Sequence, residues 1–134
     1  MRHHIFRGKR LDNGEWIDGY LIRGKHWETD AYETAIVELD ATFYPMNEIA
    51  GYEFVDHKTV GQFTGKLDKY GKPIFEGDIV EALMDYGPAG LLKTVTCINW
   101  DDNGGWQWEY FELDTIEVIG NIHDHPNIRF GVVK

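Results

Sequence analysis

The chain has 134 residues, enough for one domain that buries about two-thirds of its unfolded surface. Its net charge of −10 argues against a protein built to grip phosphates, because that affinity comes from Lys and Arg displacing counterions. A single cysteine, Cys97, excludes an internal disulfide framework and a multi-Cys zinc site, and the absence of serine excludes Ser-His-Asp hydrolysis.

The charge is unevenly spread. Arg2, Arg7, Lys9, Arg10, Arg23 and Lys25 nearly balance the N-terminal part. No Lys or Arg lies between Lys93 and Arg129, where Asp101, Asp102, Glu109, Glu112, Asp114, Glu117 and Asp124 all fall. A solvated acidic face is the simplest reading; a basic partner surface or mimicry of nucleic acid is the alternative. No apolar stretch follows Met1, and nothing approaches the ~18 apolar residues of a membrane span. A cytoplasmic protein with no membrane association is expected.

Ile5 to Ile22 reads as a hairpin about Asp12-Asn13-Gly14. Gly19 interrupts its second strand and predicts a bulge or a close backbone approach. Residues 24–56 are less distinct. Thr29–Leu39 is rich in β-branched and aromatic residues and is expected as a strand, although Tyr32, Ile36 and Leu39 also fit a helical period. Pro45 ends this region, Tyr52–Val55 is a short strand, and Asp56-His57-Lys58 links it onward.

Val60–Met84 is the stretch about which the rest is arranged. Val60–Phe63 is a strand broken by Thr64-Gly65, and Asp68-Lys69-Tyr70-Gly71 has the form of a type I turn. Pro73 fits a strand start or edge, because it cannot donate to a ladder. Glu76-Gly77-Asp78 is a second tight turn, at which Gly77 is expected in a conformation costly for other residues. Ile79–Leu83 then begins a new strand. After the Asp85–Gly90 loop, Leu91–Trp100 and Trp106–Leu113 read as a hairpin about Asp101-Asp102-Asn103-Gly104-Gly105. A last strand, Ile116–Ile122, ends at His125-Pro126-Asn127.

Short strands and regular turns predict an all-β, barrel-like single domain over residues 1–134. A subdivision near residue 56 would separate an N-terminal hairpin and variable region, 1–56, from the barrel, 57–134. The outer strand of the hairpin would then present an open edge to a neighbouring copy.

Trp106, Trp108 and Tyr110 are spaced by two, so on a strand they share one face. That face is core and subunit interface, or an exposed platform for peptide or for nucleic-acid bases. It is the candidate interaction face. His123-Asp124-His125 resembles a metal-ligand pair but lacks a third ligand, and it reads as a surface turn. The Asp101–Gly105 segment has oxygen donors without the EF-hand spacing. Glu76 and Asp78 flank Gly77 and read as caps of backbone N–H groups rather than an acid/base pair. No catalytic, cofactor-binding or metal-binding residue is assigned, and no cofactor is expected.

Several blocks carry a family resemblance. His4-Ile5-Phe6-Arg7-Gly8-Lys9-Arg10 with Asn13-Gly14-Glu15-Trp16 resembles the start of the YopX family of phage and prophage proteins. Thr59–Gly65, Asp68–Lys72 and Ile74–Val80 are similar to its central segment, and Glu117–Ile122 with Pro126 and Asn127 to its C-terminal signature. Lys66-Leu67 stands where the family usually reads Leu then Lys, and residues 24–56 match poorly.

The resemblance implies a small SH3-like barrel with an additional N-terminal β-hairpin, encoded by phage or prophage, acting in the bacterial cytoplasm and forming a homo-oligomer. It implies no activity. The expected function is a non-enzymatic accessory protein that binds another macromolecule, a host or phage protein before nucleic acid given the acidic charge. The alternatives are a nucleic-acid-binding barrel using Trp106, Trp108 and Tyr110, and a metal-dependent hydrolase using His123, His125 and a nearby carboxylate.

Overall fold

Asn13-Gly14 makes the turn that its residue types dictate. Gly14 takes φ +71°, its N–H donates to the Arg10 carbonyl at 2.9 Å, and the Arg10 N–H donates to the Glu15 carbonyl at 2.8 Å. This turn joins β1 (Phe6–Arg10) to β2 (Trp16–Lys25) in a computed structural model that describes residues 4–44 and 48–134. Pro45 and His3 lie outside the described residues. The chain forms two compact units, Met1–Gln62 and Phe63–Lys134. Among the described residues there is no α-helix, and all strand pairing is antiparallel.

In the first unit β2 pairs with β3 (Tyr32–Tyr44), placing Leu21 opposite Ile36. The next strand, β4 (Glu48–Leu67), pairs with β3 and then with β1, placing Phe54 opposite Ala35 and Val55 opposite Arg10. The result is a closed ring, β1-β2-β3-β4-β1, in which each strand has a neighbour on both sides. Closure therefore occurs within residues 6–62, largely in the 1–56 part expected to hold a hairpin and a variable region, with Gly61 and Gln62 beyond that boundary pairing β1. The expected open hairpin edge is absent because β1 is covered by β4 and β2 by β3.

Ile36 and Val55 are buried in this unit, and two glycines permit the packing. A Cβ on Gly8 would stand 3.0 Å from the Val55 side chain, and a Cβ on Gly19 would stand 2.1 Å from the Val37 carbonyl oxygen. The second of these is the close backbone approach anticipated from the sequence. The strand expected over Thr29–Leu39 is present as β3. The link expected at Asp56-His57-Lys58 is instead the interior of one long strand. Register shifts there, and Thr59 repairs the ladder: its hydroxyl accepts from the Lys9 N–H at 2.8 Å and donates to the Asp56 carbonyl at 2.6 Å.

In the second unit the end of β4 pairs with β5 (Pro73–Phe75), bringing the Phe63 and Phe75 rings to 5.5 Å. A four-stranded sheet follows in the order β8 (Glu117–Asn121), β6 (Asp78–Asp85), β7 (Leu91–Cys97), β9 (Gly131–Val132). Ile74, Val80, Ala82, Ile98 and Ile116 form its core. The Asp68–Gly71 turn is as expected, with Gly71 at φ +82°. At the next corner Gly77 takes φ +88°, donating its N–H to the Ile98 carbonyl and accepting from the Ile122 N–H.

One expected hairpin is corrected. The partner of β7 is β6, across a single 3-10 turn at Gly87–Ala89, and residues 106–113 are not a strand. Gln107 is left-handed at φ +59°, and single 3-10 turns follow at Trp108–Tyr110 and Leu113–Thr115. The left-handed residue destroys the period of two. The tight turn brings residues three apart together instead, and the Trp108 and Phe111 rings meet edge to face at 5.8 Å.

Candidate functional site

The sequence-predicted aromatic face is divided by this geometry. Trp106 and Trp108 both turn against the core cluster, together with Phe111, and are half-buried, while Tyr110 is exposed. Trp108 leaves the site altogether: it packs on Phe111, and the Lys66 ammonium lies 5.7 Å above its ring. Lys66 is half-buried there while Leu67 is exposed, so at the family's reversed dipeptide the lysine stem covers the tryptophan.

Trp106 and Tyr110 remain together, as walls of a hollow of about 310 Å³ whose other sides include Met84, Cys97 and Phe111. Trp100, which sequence reasoning left outside the face, packs beside the hollow on Trp106. Its ring meets Trp106 edge to face at 5.0 Å and is half exposed, and its indole N–H donates to Asp102 at 3.1 Å. The signal for it was present in the sequence as a third tryptophan across a Gly-Gly turn.

The rim is acidic. Asp101, Asp102, Glu109 and Glu112 are all exposed in the segment that forms the hollow. Asp101 is partly engaged: its carboxylate accepts from the Asn103 N–H at 2.8 Å and from the Gln107 amide at 3.0 Å. The Gly105 N–H donates to the Asp101 carbonyl at 2.7 Å, so this segment is a backbone turn, as expected. On the floor, burial raises the Cys97 thiol above its ordinary range, and the Asp78 and Glu76 carboxylates raise it further. The group is held as a neutral thiol, a weak nucleophile at neutral pH.

The other chemical candidates are built as turns and caps. Asn121 organises the 121–125 segment: its side-chain oxygen accepts from the N–H groups of His123 and Asp124, and its amide donates to Asp124 at 3.1 Å. His125 Nδ1 accepts from the Asn121 N–H at 3.2 Å. Among the described residues no three His, Cys, Asp or Glu side chains are placed to hold a metal ion. Asp78 is buried, and its carboxylate accepts from the Phe75 N–H at 2.8 Å, the capping role expected of it.

Asp68 does more than the sequence disclosed. Beyond forming its own turn, it reaches a residue fifty positions away: its carboxylate accepts from the N–H groups of Tyr70 and Lys72 at 2.9 Å and of Val118 at 3.0 Å. Burial alone would raise its pKa; the bonds from Val118, Lys72 and Tyr70, with the Lys72 charge, outweigh it and hold the group below the usual carboxylate range. The Asp68–Lys72 and Glu117–Ile122 blocks are thus tied through one side chain.

A family profile described as "YopX protein" matches residues 5–128, nearly the whole chain and every block tied together here. The chain belongs to the YopX family. No curated protein sequence matches it. Membership of YopX accounts for the order of the blocks; it assigns no chemistry to the aromatic hollow.

Proposed function

We propose that this YopX protein is a non-enzymatic phage or prophage accessory protein of the bacterial cytoplasm that acts by binding another protein. The observation that carries this reading is the second unit's hollow, where Trp106, Tyr110, Phe111, Met84 and Ile98 lie beside Thr96, Asn99, Gln107 and Asp101, next to the half-exposed Trp100 ring in an acidic segment. Protein interfaces have this anatomy: aromatic anchors in a desolvated centre with a charged rim that selects partners by complementarity. A basic-rimmed protein surface suits it. Nucleic acid suits it poorly, since Asp101 on the lining and the acidic segment around it repel phosphates.

Affinity capture from a phage-carrying bacterial lysate tests the reading, comparing the wild type with Trp100→Ala/Tyr110→Ala. Both side chains are at least half exposed, so the double variant should melt near the wild-type temperature. A protein held by the wild type, resistant to nuclease and lost from the variant, supports the reading. Recovery of single-stranded DNA or RNA in its place overturns it in favour of a nucleic-acid-binding protein.

Self-association belongs to the same reading. Tyr20 and Tyr52 lie opposite Val37 across β2, β3 and β4, with Leu39 two residues further along β3, and all three flanking side chains are exposed. Such a cluster favours burial against a second copy. Light scattering should give a mass above the monomer that falls to the monomer in Leu39→Lys.

A further inference from the structure

Several aromatic rings of this chain carry a cation from the chain itself. The Lys66 ammonium lies 5.7 Å from the centre of the Trp108 ring, the Arg7 guanidinium 4.6 Å from Trp16, Arg23 5.2 Å from Tyr32 and Lys69 5.2 Å from Tyr70. An aromatic face is electron-rich, so it holds whatever cation its surroundings supply.

The rings at the second unit's hollow have no such supply. Trp106, Tyr110 and Phe111 line about 310 Å³, and Trp100 packs on Trp106 beside them. Among the described residues no Lys or Arg lies over any of these four rings. The sequence gives the reason: no Lys or Arg falls between Lys93 and Arg129, and Lys93 is engaged by Glu81 at 2.8 Å.

Beside the rings one carboxylate lines the hollow, that of Asp101. It is held in place, one oxygen accepting from the Asn103 N–H at 2.8 Å and the other from the Gln107 amide at 3.0 Å. Both donors are neutral, and each oxygen keeps a further lone pair. Aromatic faces and a fixed carboxylate thus meet at one hollow, on a chain of net charge −10. That combination is complementary to a cation with an apolar stem. A guanidinium fits it better than an ammonium, because it stacks flat on rings, forks to a carboxylate and is more weakly hydrated.

We propose that the side chain this hollow takes is an arginine of the partner protein. Its guanidinium stacks on Trp106 and Tyr110 and donates to Asp101, and its methylene stem packs on Met84 and Phe111. The inference rests on the protein-binding reading of the same hollow and adds the chemistry of the anchor.

NMR titration of the purified full chain with acetyl-Ala-Arg-Ala-amide, followed at the tryptophan indole N–H signals, tests it. Peptides with citrulline or lysine in place of arginine are separate arms. The arginine peptide should shift the Trp106 signal saturably, with a dissociation constant on the order of 1 mM for a single side chain, and leave Trp16 and Trp108 unmoved. The citrulline peptide, uncharged and of the same shape, should bind at least about tenfold more weakly, and the lysine peptide several-fold more weakly. Tyr110→Leu and Asp101→Asn should each weaken the arginine peptide several-fold at unchanged melting temperature, whereas Tyr110→Phe, which keeps the ring, should bind as the wild type does. No shift at Trp106, citrulline binding as tight as arginine, or an unaffected Tyr110→Leu variant would each overturn the proposal. Lysate capture separates it from the reading it rests on: a protein still held by the wild type and lost from Trp100→Ala/Tyr110→Ala, with no binding of the arginine peptide, overturns the arginine anchor and leaves protein binding standing.

Discussion

Removing the Asp68 carboxylate should destabilise the second unit more than any other single polar substitution in a turn. In Asp68→Ala three backbone N–H groups lose a charged acceptor. Tyr70 and Lys72 are exposed, so their N–H groups recover water, but the Val118 N–H belongs to a half-buried strand residue. Hydrogen bonds to charged groups contribute about 1.5–3 kcal/mol each and are not additive, giving a loss of about 2–4 kcal/mol. At this chain length that lowers the melting temperature by about 10 °C. Asp68→Asn keeps the shape and one acceptor oxygen and should lose about half as much.

The pH dependence fixes the mechanism. The folded pKa is lowered, so the unfolded chain binds the proton more tightly. The contribution is fully present above the unfolded aspartate pKa of about 3.9 and is lost as pH falls through the folded value. Urea unfolding of wild type and Asp68→Asn at neutral and strongly acidic pH measures this directly. The two stabilities should converge at low pH; a gap of constant size, or one below about 0.5 kcal/mol at neutral pH, refutes the reasoning.

Two glycines should behave differently. Gly77→Ala meets only ordinary contacts, 3.7 Å to His123 and Ile122, so its cost is the left-handed backbone alone, about 1 kcal/mol. Gly19→Ala drives its Cβ into the Val37 carbonyl and should cost about 2–3 kcal/mol, so thermal melts that rank Gly77→Ala as the worse variant contradict the packing described. Cys97 should alkylate with iodoacetamide several-fold more slowly than free cysteine at neutral pH, with the rate still rising above the ordinary thiol pKa of about 8.5. A rate equal to free cysteine would place the thiol outside the hollow.

Where the sequence was legible, the backbone chemistry of single residues carried the information. Gly14, Gly71 and Gly77 all have positive φ and Pro73 starts its strand, because each is constrained by sterics within a few residues; Gly19 marks a close approach to Val37 of the neighbouring strand. Pairing was less legible, since it is decided between distant segments. Thr94–Trp100 alternates equally well beside β6 or beside a strand at 106–113, and only the core distinguishes them. Trp106-Gln107-Trp108-Glu109-Tyr110 reads as a strand by period; the left-handed Gln107 and the Trp108–Phe111 pair three residues apart show that the alternation was coincidental. The candidate face was therefore half legible: Trp106 and Tyr110 share a hollow, Trp108 is diverted to Phe111 and the core, and Trp100 packs on Trp106 beside it.

Site-specific photo-crosslinking tests the central claim most directly. A benzophenone side chain replaces Tyr110, at the mouth of the aromatic hollow, and a control replaces Tyr70, exposed elsewhere in the same unit. Irradiation in the phage-carrying host should give a discrete protein adduct from position 110 that survives nuclease treatment and is absent from position 70. Adducts only to nucleic acid, or the same protein adducts from both positions, would contradict a protein-binding role for this hollow.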